Sequence, residues 1–212
     1  MKNVTDRTSN PFGLRPPCDR APEEGRDAVF GYGDANGDFH VIGDHPGVHG
    51  GKRTGVPFTG TDAGRAVQDV FREAEFVTGP ADDPDCENLY CSYLHMCCLP
   101  NGHEPTEREY DDLERYFDAE LRAINAHILL PVGETATDHV LRAYTTQRRR
   151  FDHDLDMADL HARELRGRGF MVVPIRNPDE WTAGDRETIV STLESILESD
   201  YRQTKGVATR VG

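Results

Sequence analysis

AHILLPVGETATDHVLRAY, residues 126–144, decides the fold. AHILLPVG is short, apolar and ended by Gly133, which suits a parallel strand buried on both faces. From Glu134 to Tyr144 the apolar spacing changes to that of a helix. A strand followed at once by a helix is the building unit of a parallel sheet. The unit recurs at the end of the chain, where FMVVPI (170–175) reads as a last buried strand and DRETIVSTLESIL (185–197) as an amphipathic helix.

The same alternation extends toward the start. DAVFGYGD (27–34) and DFHVIGD (38–44) are β-prone runs separated by Ala35, Asn36 and Gly37, turn chemistry of the hairpin type. GDHPGVHGGKRTGVPFTGT (43–61) is read as a loop, because glycine and proline recur too often for helix or strand. DAGRAVQDVFREAEF (62–76) places Ala66, Val67, Val70, Phe71 and Ala74 at helical spacing. A strand-like LYCSYLHMC (89–97) follows. Then Thr106 with Glu109 forms a capping-box pattern ahead of a helix lined by Leu113, Phe117, Leu121 and Ile124. The expected architecture is α/β: a three-layer α/β/α sandwich with a short, mostly parallel central sheet and ligands beyond the carboxyl ends of its strands. Residues 1–26 are read as a partly ordered arm, 27–200 as the domain and 201–212 as a flexible tail.

Composition narrows the function. The chain carries 38 acidic and 24 basic residues, a net charge of −14, and its only lysines are Lys2, Lys52 and Lys205. Acid excess with lysine depletion is the pattern of a surface kept soluble in concentrated salt, where charge repulsion is screened within a few ångströms. A halophilic, cytoplasmic protein is expected, since no run approaches the roughly eighteen apolar residues of a membrane span and the start lacks the apolar core of a secretory signal. Such acidity argues against nonspecific nucleic-acid binding, so any nucleic-acid function must rest on a local site. Five cysteines in a reducing compartment make a disulfide framework the less expected reading; reduced core thiols or remnants of a metal site are favoured.

GDHPGVHGGKRTGVPFTGTDAG (43–64) resembles the first active-site motif of the thermophile-type uracil-DNA glycosylases, the families often numbered four and five. The glycines, proline, HG, RTG and PFTG of that motif correspond to Gly43, Pro46, Gly47, His49, Gly50, Arg53, Thr54, Gly55, Pro57, Phe58, Thr59 and Gly60. Later segments are similar in the family's order, and the resemblance covers about residues 15–197. Three places in the pocket are altered or variable. The final motif, usually begun by histidine, falls on Asn177, Pro178 and Asp179; Tyr93 stands where relatives carry a base-reading asparagine; and Asp44 with His45 fills a variable polar pair.

The resemblance implies a DNA repair enzyme that flips a damaged nucleotide from the stack and hydrolyses its N-glycosidic bond. It implies catalytic roles for Asp44, His45 and Asn177. Asp44 would orient water or offset charge on the sugar, His45 would act as base or donor, and Asn177 would donate to the departing base. Gly43, Pro46, Gly47, His49, Phe58 and Tyr93 would form the substrate pocket, with Phe58 stacking on the base. Each has a plainer reading: core packing for Phe58, capping or loop shaping for Asp44, His45 and His49, a turn residue for Asn177.

Many relatives hold a four-iron cluster with four cysteines. Here Cys18 matches the first ligand and Cys97 the third, while the second and fourth positions fall on Ala21 and Leu113. No cofactor and no metal are therefore expected. The expected partner is DNA containing uracil or another damaged base, and the expected state is a monomer that does not engage a membrane. Two other functions stay open: a glycosylase-fold protein that binds a base or nucleic acid without excising it, and a hydrolase of free nucleosides.

Overall fold

The computed structural model describes residues 10–18, 26–124, 126–151, 154–167, 169–199 and 201. In chain order the strands are β1 (Tyr32–Gly33), β2 (Phe39–Gly43), β3 (Val77–Thr78), β4 (Asp85–Cys86), β5 (Leu89–Tyr93), β6 (Ile128–Pro131), β7 (Leu165–Arg166) and β8 (Met171–Val172). The α-helices are α1 (Pro46–His49), α2 (Asp62–Glu73), α3 (Glu107–Ile124), α4 (Glu134–Ala143), α5 (Met157–Leu160) and α6 (Asp185–Glu198).

Six strands form the main sheet in the order β1-β5-β2-β6-β8-β7. The inner four, β5, β2, β6 and β8, run parallel, while β1 and β7 close the edges antiparallel. β2 and β6 are wholly buried, as strands covered on both faces must be. On one face Val67, Val70 and Phe71 of α2 and Ile189, Val190, Leu193 and Ile196 of α6 pack on Phe39, Val41, Ile128 and Leu130. On the other, Phe117 and Leu121 of α3 and Val140 and Leu141 of α4 pack on Ile42, Leu129 and Val172. The architecture is the expected three-layer α/β/α sandwich.

Local signals explain most boundaries. Thr106 and Glu109 make the capping box: the Thr106 N–H donates to Glu109 Oε2 (2.9 Å) and the Glu109 N–H to Thr106 Oγ1 (3.3 Å). Thr61 caps α2 by accepting from the Gly64 N–H (3.1 Å). The run after Gly43 is not wholly loop. Pro46 takes the first turn of α1, where its fixed φ fits and its missing N–H costs nothing, and the His45 side chain caps that turn.

The hairpin expectation is corrected. β1 pairs with β5, Tyr32 opposite Cys91, and β2 lies on the far side of β5. Ala35–Gly37 is a turn, with the Gly37 N–H donating to Asp34 O (2.9 Å), but the Asp34 N–H is taken by Leu89 O (2.9 Å). That contact draws the first run to the other strand.

The reading of reduced thiols is corrected as well, because Cys18 and Cys97 are joined in a disulfide. They are 79 residues apart in sequence, yet Leu14 and Cys18 pack on Met96, Cys97 and Leu113. One bridge needs only two neighbouring cysteines, so an odd total does not forbid it. Cys98 points the other way into the core, and Cys86 and Cys91 are free. Most of the expected arm and tail lies outside the described residues. Of the parts described, Phe12 packs on Tyr90 (6.2 Å between rings) and Tyr201 on Phe39 (5.4 Å).

Between the sheet and α3 lies a buried polar group with no apparent place in chemistry. The Tyr90 hydroxyl donates to Glu120 Oε1 (2.8 Å), and His40 Nε2 lies 2.7 Å from Ser92 Oγ. Burial pushes the Glu120 carboxyl up to about 7 and the His40 imidazole down to about 3. With its folded value raised, Glu120 gives its full contribution to stability below the ordinary carboxylate range and loses it as pH rises through about 7. Glu120→Gln is therefore expected to be more stable than the parent at pH 8, by on the order of 2 kcal/mol, with no such gain at pH 4. Urea unfolding at the two pH values measures this; parallel curves would refute it.

Candidate active site

Three neighbouring strands deliver their carboxyl ends to one hollow. Asp44 follows β2, Gly133 follows β6 and opens α4, and Arg176 with Asn177 follows β8. Backbone bonds lock these ends together: the Val132 N–H donates to Ile42 O and the Gly133 N–H to Ile175 O, both at 2.8 Å. Beyond them is a cavity of about 380 Å³ lined by Asp44, Val48, His49, residues 132–135, residues 155–158, Arg176, Asn177 and Glu180. It lies where an open α/β sheet places its ligands, because the chain leaves β2 toward one face and β6 toward the other.

Asp44 is held from three sides. Its N–H donates to His49 Nδ1 (3.1 Å), its carbonyl accepts from the His95 N–H (3.0 Å), and its carboxylate accepts a short hydrogen bond from the Tyr110 hydroxyl. Burial, with the Asp44 charge beside it, pushes the Tyr110 phenol well above its ordinary range, so it remains a donor. Tyr110 sits on the first turn of α3 and carries no motif, so nothing in the sequence marks it.

His49 is buried, and its Nδ1 is an acceptor, which places the proton on Nε2. Burial first, then neighbouring His45, pushes its imidazole down to about 3. The ring is neutral in ordinary buffers.

His45 is committed elsewhere. Its Nδ1 accepts from the Gly47 N–H (3.1 Å) and its Nε2 lies 2.6 Å from Glu104 Oε2. It does not border the cavity: one ring nitrogen caps α1 and the other is held by Glu104.

Phe58 and Tyr93 lie behind His49, not at the cavity surface. The Phe58 ring is 5.4 Å from His49 and 5.3 Å from Tyr93, and both Phe58 and Tyr93 are almost completely buried. Phe58 has a φ of 59°, a strained value for a bulky residue. Tyr93 holds it there: its hydroxyl accepts from the Phe58 N–H (2.7 Å) and donates to Gly50 O (3.1 Å). Gly43 is required by the same packing, since a Cβ would lie 2.7 Å from the Tyr93 ring and 2.8 Å from Phe58. Gly47 faces the His45 ring at 2.5 Å in the same sense, and Pro46 is buried in α1.

Asn177 borders the cavity and caps its own turn, its Oδ1 3.4 Å from the Asp179 N–H. Arg176 lies beside it, 3.3 Å from Glu180 and 3.6 Å from Asp185, with its carbonyl accepting from Trp181 Nε1 (2.8 Å). Four carboxylates, Asp44, Glu134, Asp156 and Glu180, face the space. They favour positive charge developing on a bound group. The start of α4, which has no side-chain cap, directs the positive end of its dipole to the same wall.

The residues around Cys97 do not fit a four-iron cluster. Two of the sulfurs are bonded to each other, and the Leu113 side chain packs where the fourth ligand would stand. Among the described residues no group of three or more His, Cys, Asp or Glu is arranged to hold a metal ion. No helix among them is long and apolar enough to cross a membrane.

Residues 30–193 match the family described as the Uracil DNA glycosylase superfamily. The chain is 32% identical over 174 residues to the type-5 uracil-DNA glycosylase of Pyrobaculum aerophilum, covering 78% of this chain and 72% of that one. It is 32% identical over 117 residues to the type-5 enzyme of Thermus thermophilus, 53% of each chain. With that of Mycobacterium leprae the identity is 27% over 143 residues, 63% of this chain and 62% of the relative. By its sequence match and by its architecture, the chain belongs to the uracil DNA glycosylase superfamily.

Proposed function

We propose that the protein is a DNA base-excision repair glycosylase that hydrolyses the N-glycosidic bond of uracil, or a related damaged base, in DNA. The observation that carries this reading is the meeting of Asp44 and Asn177, from opposite ends of the chain, on one cavity beyond the sheet. In the reaction the C1′–N1 bond breaks with its electron pair going to the base, and water adds to C1′. The water's proton passes to the Asp44 carboxylate and from there to the departed base, so that free uracil and an abasic sugar result. The negative charge of Asp44 also stabilises the cationic sugar in the transition state. Tyr110 fixes one carboxylate oxygen and leaves the other for water.

Asn177, through Nδ2, is a donor at the rim. Gly43, Pro46, Gly47, Phe58 and Tyr93 shape the wall behind the cavity, and His45 positions the loop. The reading needs no iron cluster, so purified protein is expected to contain no stoichiometric iron by elemental analysis. A monomer acting on DNA in a salt-rich cytoplasm completes the proposal, and the net charge of −14 supports its last element.

A second reading, binding of a base or nucleic acid without excision, is favoured by one observation: Tyr93 and Phe58 pack tightly together, and Phe58 offers no face to the cavity. Incubation of the full chain with uracil-containing single strand and duplex in molar KCl separates the two. Release of uracil is the expected result; binding without release would establish the second reading, and turnover of free nucleosides alone would point to a nucleoside hydrolase. Tyr110→Phe is expected to lower kcat about tenfold with KM unchanged, as the loss of one hydrogen bond worth about 1.4 kcal/mol to the reacting carboxylate. A rise in KM at constant kcat would count against that role.

A further inference from the structure

Loss of a pyrimidine as an anion needs a hydrogen-bond donor where the charge collects, in a place sheltered from water. The donors at the cavity are few. Arg176 is engaged with Glu180 and Asp185, Asn177 caps its own turn through Oδ1 and is partly exposed, so that its Nδ2 is open to solvent, and Thr135 lies in the first turn of α4. His49 differs from all of these. His49 is among the residues that line the cavity, one edge of its ring is tied to the backbone through Nδ1 and the Asp44 N–H, and Nε2 on the opposite edge is buried with no partner among the described residues.

A buried donor left unpaired costs stability, and most native donors avoid that state. The ring is also clamped. It stacks on Tyr93 at 6.3 Å with planes 18° apart and lies 5.4 Å from Phe58. An oriented, neutral N–H beside a carboxylate that handles water is the complement of a leaving group that gathers negative charge.

We propose that His49 is a catalytic residue whose Nε2–H donates to the pyrimidine O2 as the glycosidic bond breaks. This rests on the glycosylase reading above. The proton stays on His49 throughout; the departing anion is protonated elsewhere. The low value of the imidazole, about 3, keeps it a neutral donor across the working range. Phe58 and Tyr93 then have a further task, since they hold His49 in place from behind.

The test is single-turnover excision by the full chain from strands containing uracil or 5-fluorouracil, whose fluorine stabilises the departing anion. His49→Phe keeps a ring and loses the donor; His49→Gln keeps an N–H. His49→Phe is expected to lose about 100-fold on uracil, clearly less on 5-fluorouracil, with partial recovery in His49→Gln. An equal loss on both bases, as from displacement of Asp44, would overturn the proposal, as would no loss. Should His49→Phe fail to fold, free uracil titrated into histidine-labelled parent protein decides the matter by NMR. A downfield move of the His49 Nε2 proton supports the donor role and an unmoved signal refutes it. A parent that releases no base in any salt would defeat the glycosylase reading, and the titration would still judge His49 by itself.

Discussion

Asp44→Ala is expected to lower the single-turnover rate of uracil release by about 10²–10⁴-fold, the range for removing a positioned general base. Asp44 is half-buried, and its carboxylate receives a hydrogen bond from Tyr110 while bordering the cavity. Its backbone bonds to His49 and His95 survive substitution of the side chain. The midpoint of thermal unfolding should therefore change little. Asp44→Asn sharpens the point: it retains an acceptor for Tyr110 but is neutral and no longer takes a proton, so its loss of rate should approach that of alanine. Near-parental turnover in Asp44→Asn would show that Asp44 acts as scaffold only.

Tyr93→Ala is expected to destabilise the protein by about 4 kcal/mol, with a fall of about 10 °C in Tm. The substitution empties a fully buried site and removes the hydroxyl that accepts from the Phe58 N–H and donates to Gly50 O. Phe58 would lose the bond that holds its unfavourable φ. Tyr93→Phe keeps the ring, loses both hydrogen bonds and should cost about 1–3 kcal/mol. Calorimetry of the three proteins distinguishes packing from hydrogen bonding. Equal Tm values for Tyr93→Ala and the parent would mean that the wall behind His49 is not rigid.

The fold was legible because its signals are local. Apolar runs such as Ile128–Leu130 and a capping box such as Thr106 with Glu109 specify their own conformation. Strand partners are less local. β1 abandons the adjacent run for β5 because Asp34 finds Leu89, a contact that no neighbouring residue announces. β7, only two residues long, gives no periodicity to read. The disulfide was hidden for the same reason, since cysteines 79 residues apart become neighbours only through the packing of Leu14 and Leu113.

The site was half legible. The order of glycines and prolines led to Asp44, His49 and Asn177, which meet at the cavity. What the order did not reveal is which way side chains face. His45 and His49 stand four residues apart at the two ends of α1, yet one commits its nitrogens to the Gly47 N–H and to Glu104 while the other keeps one unpaired. Tyr110 and the uncapped start of α4 reach the site from helices, and their sequence looks like any amphipathic surface.

The most direct measurement is a crystal structure of the full chain with a uracil-containing single strand, grown in molar salt with Asp44→Ala to hold the substrate. A pyrimidine seated between residue 44, His49 and Asn177 is the expected result. DNA bound across another face, with side chains still closing that hollow, would contradict it.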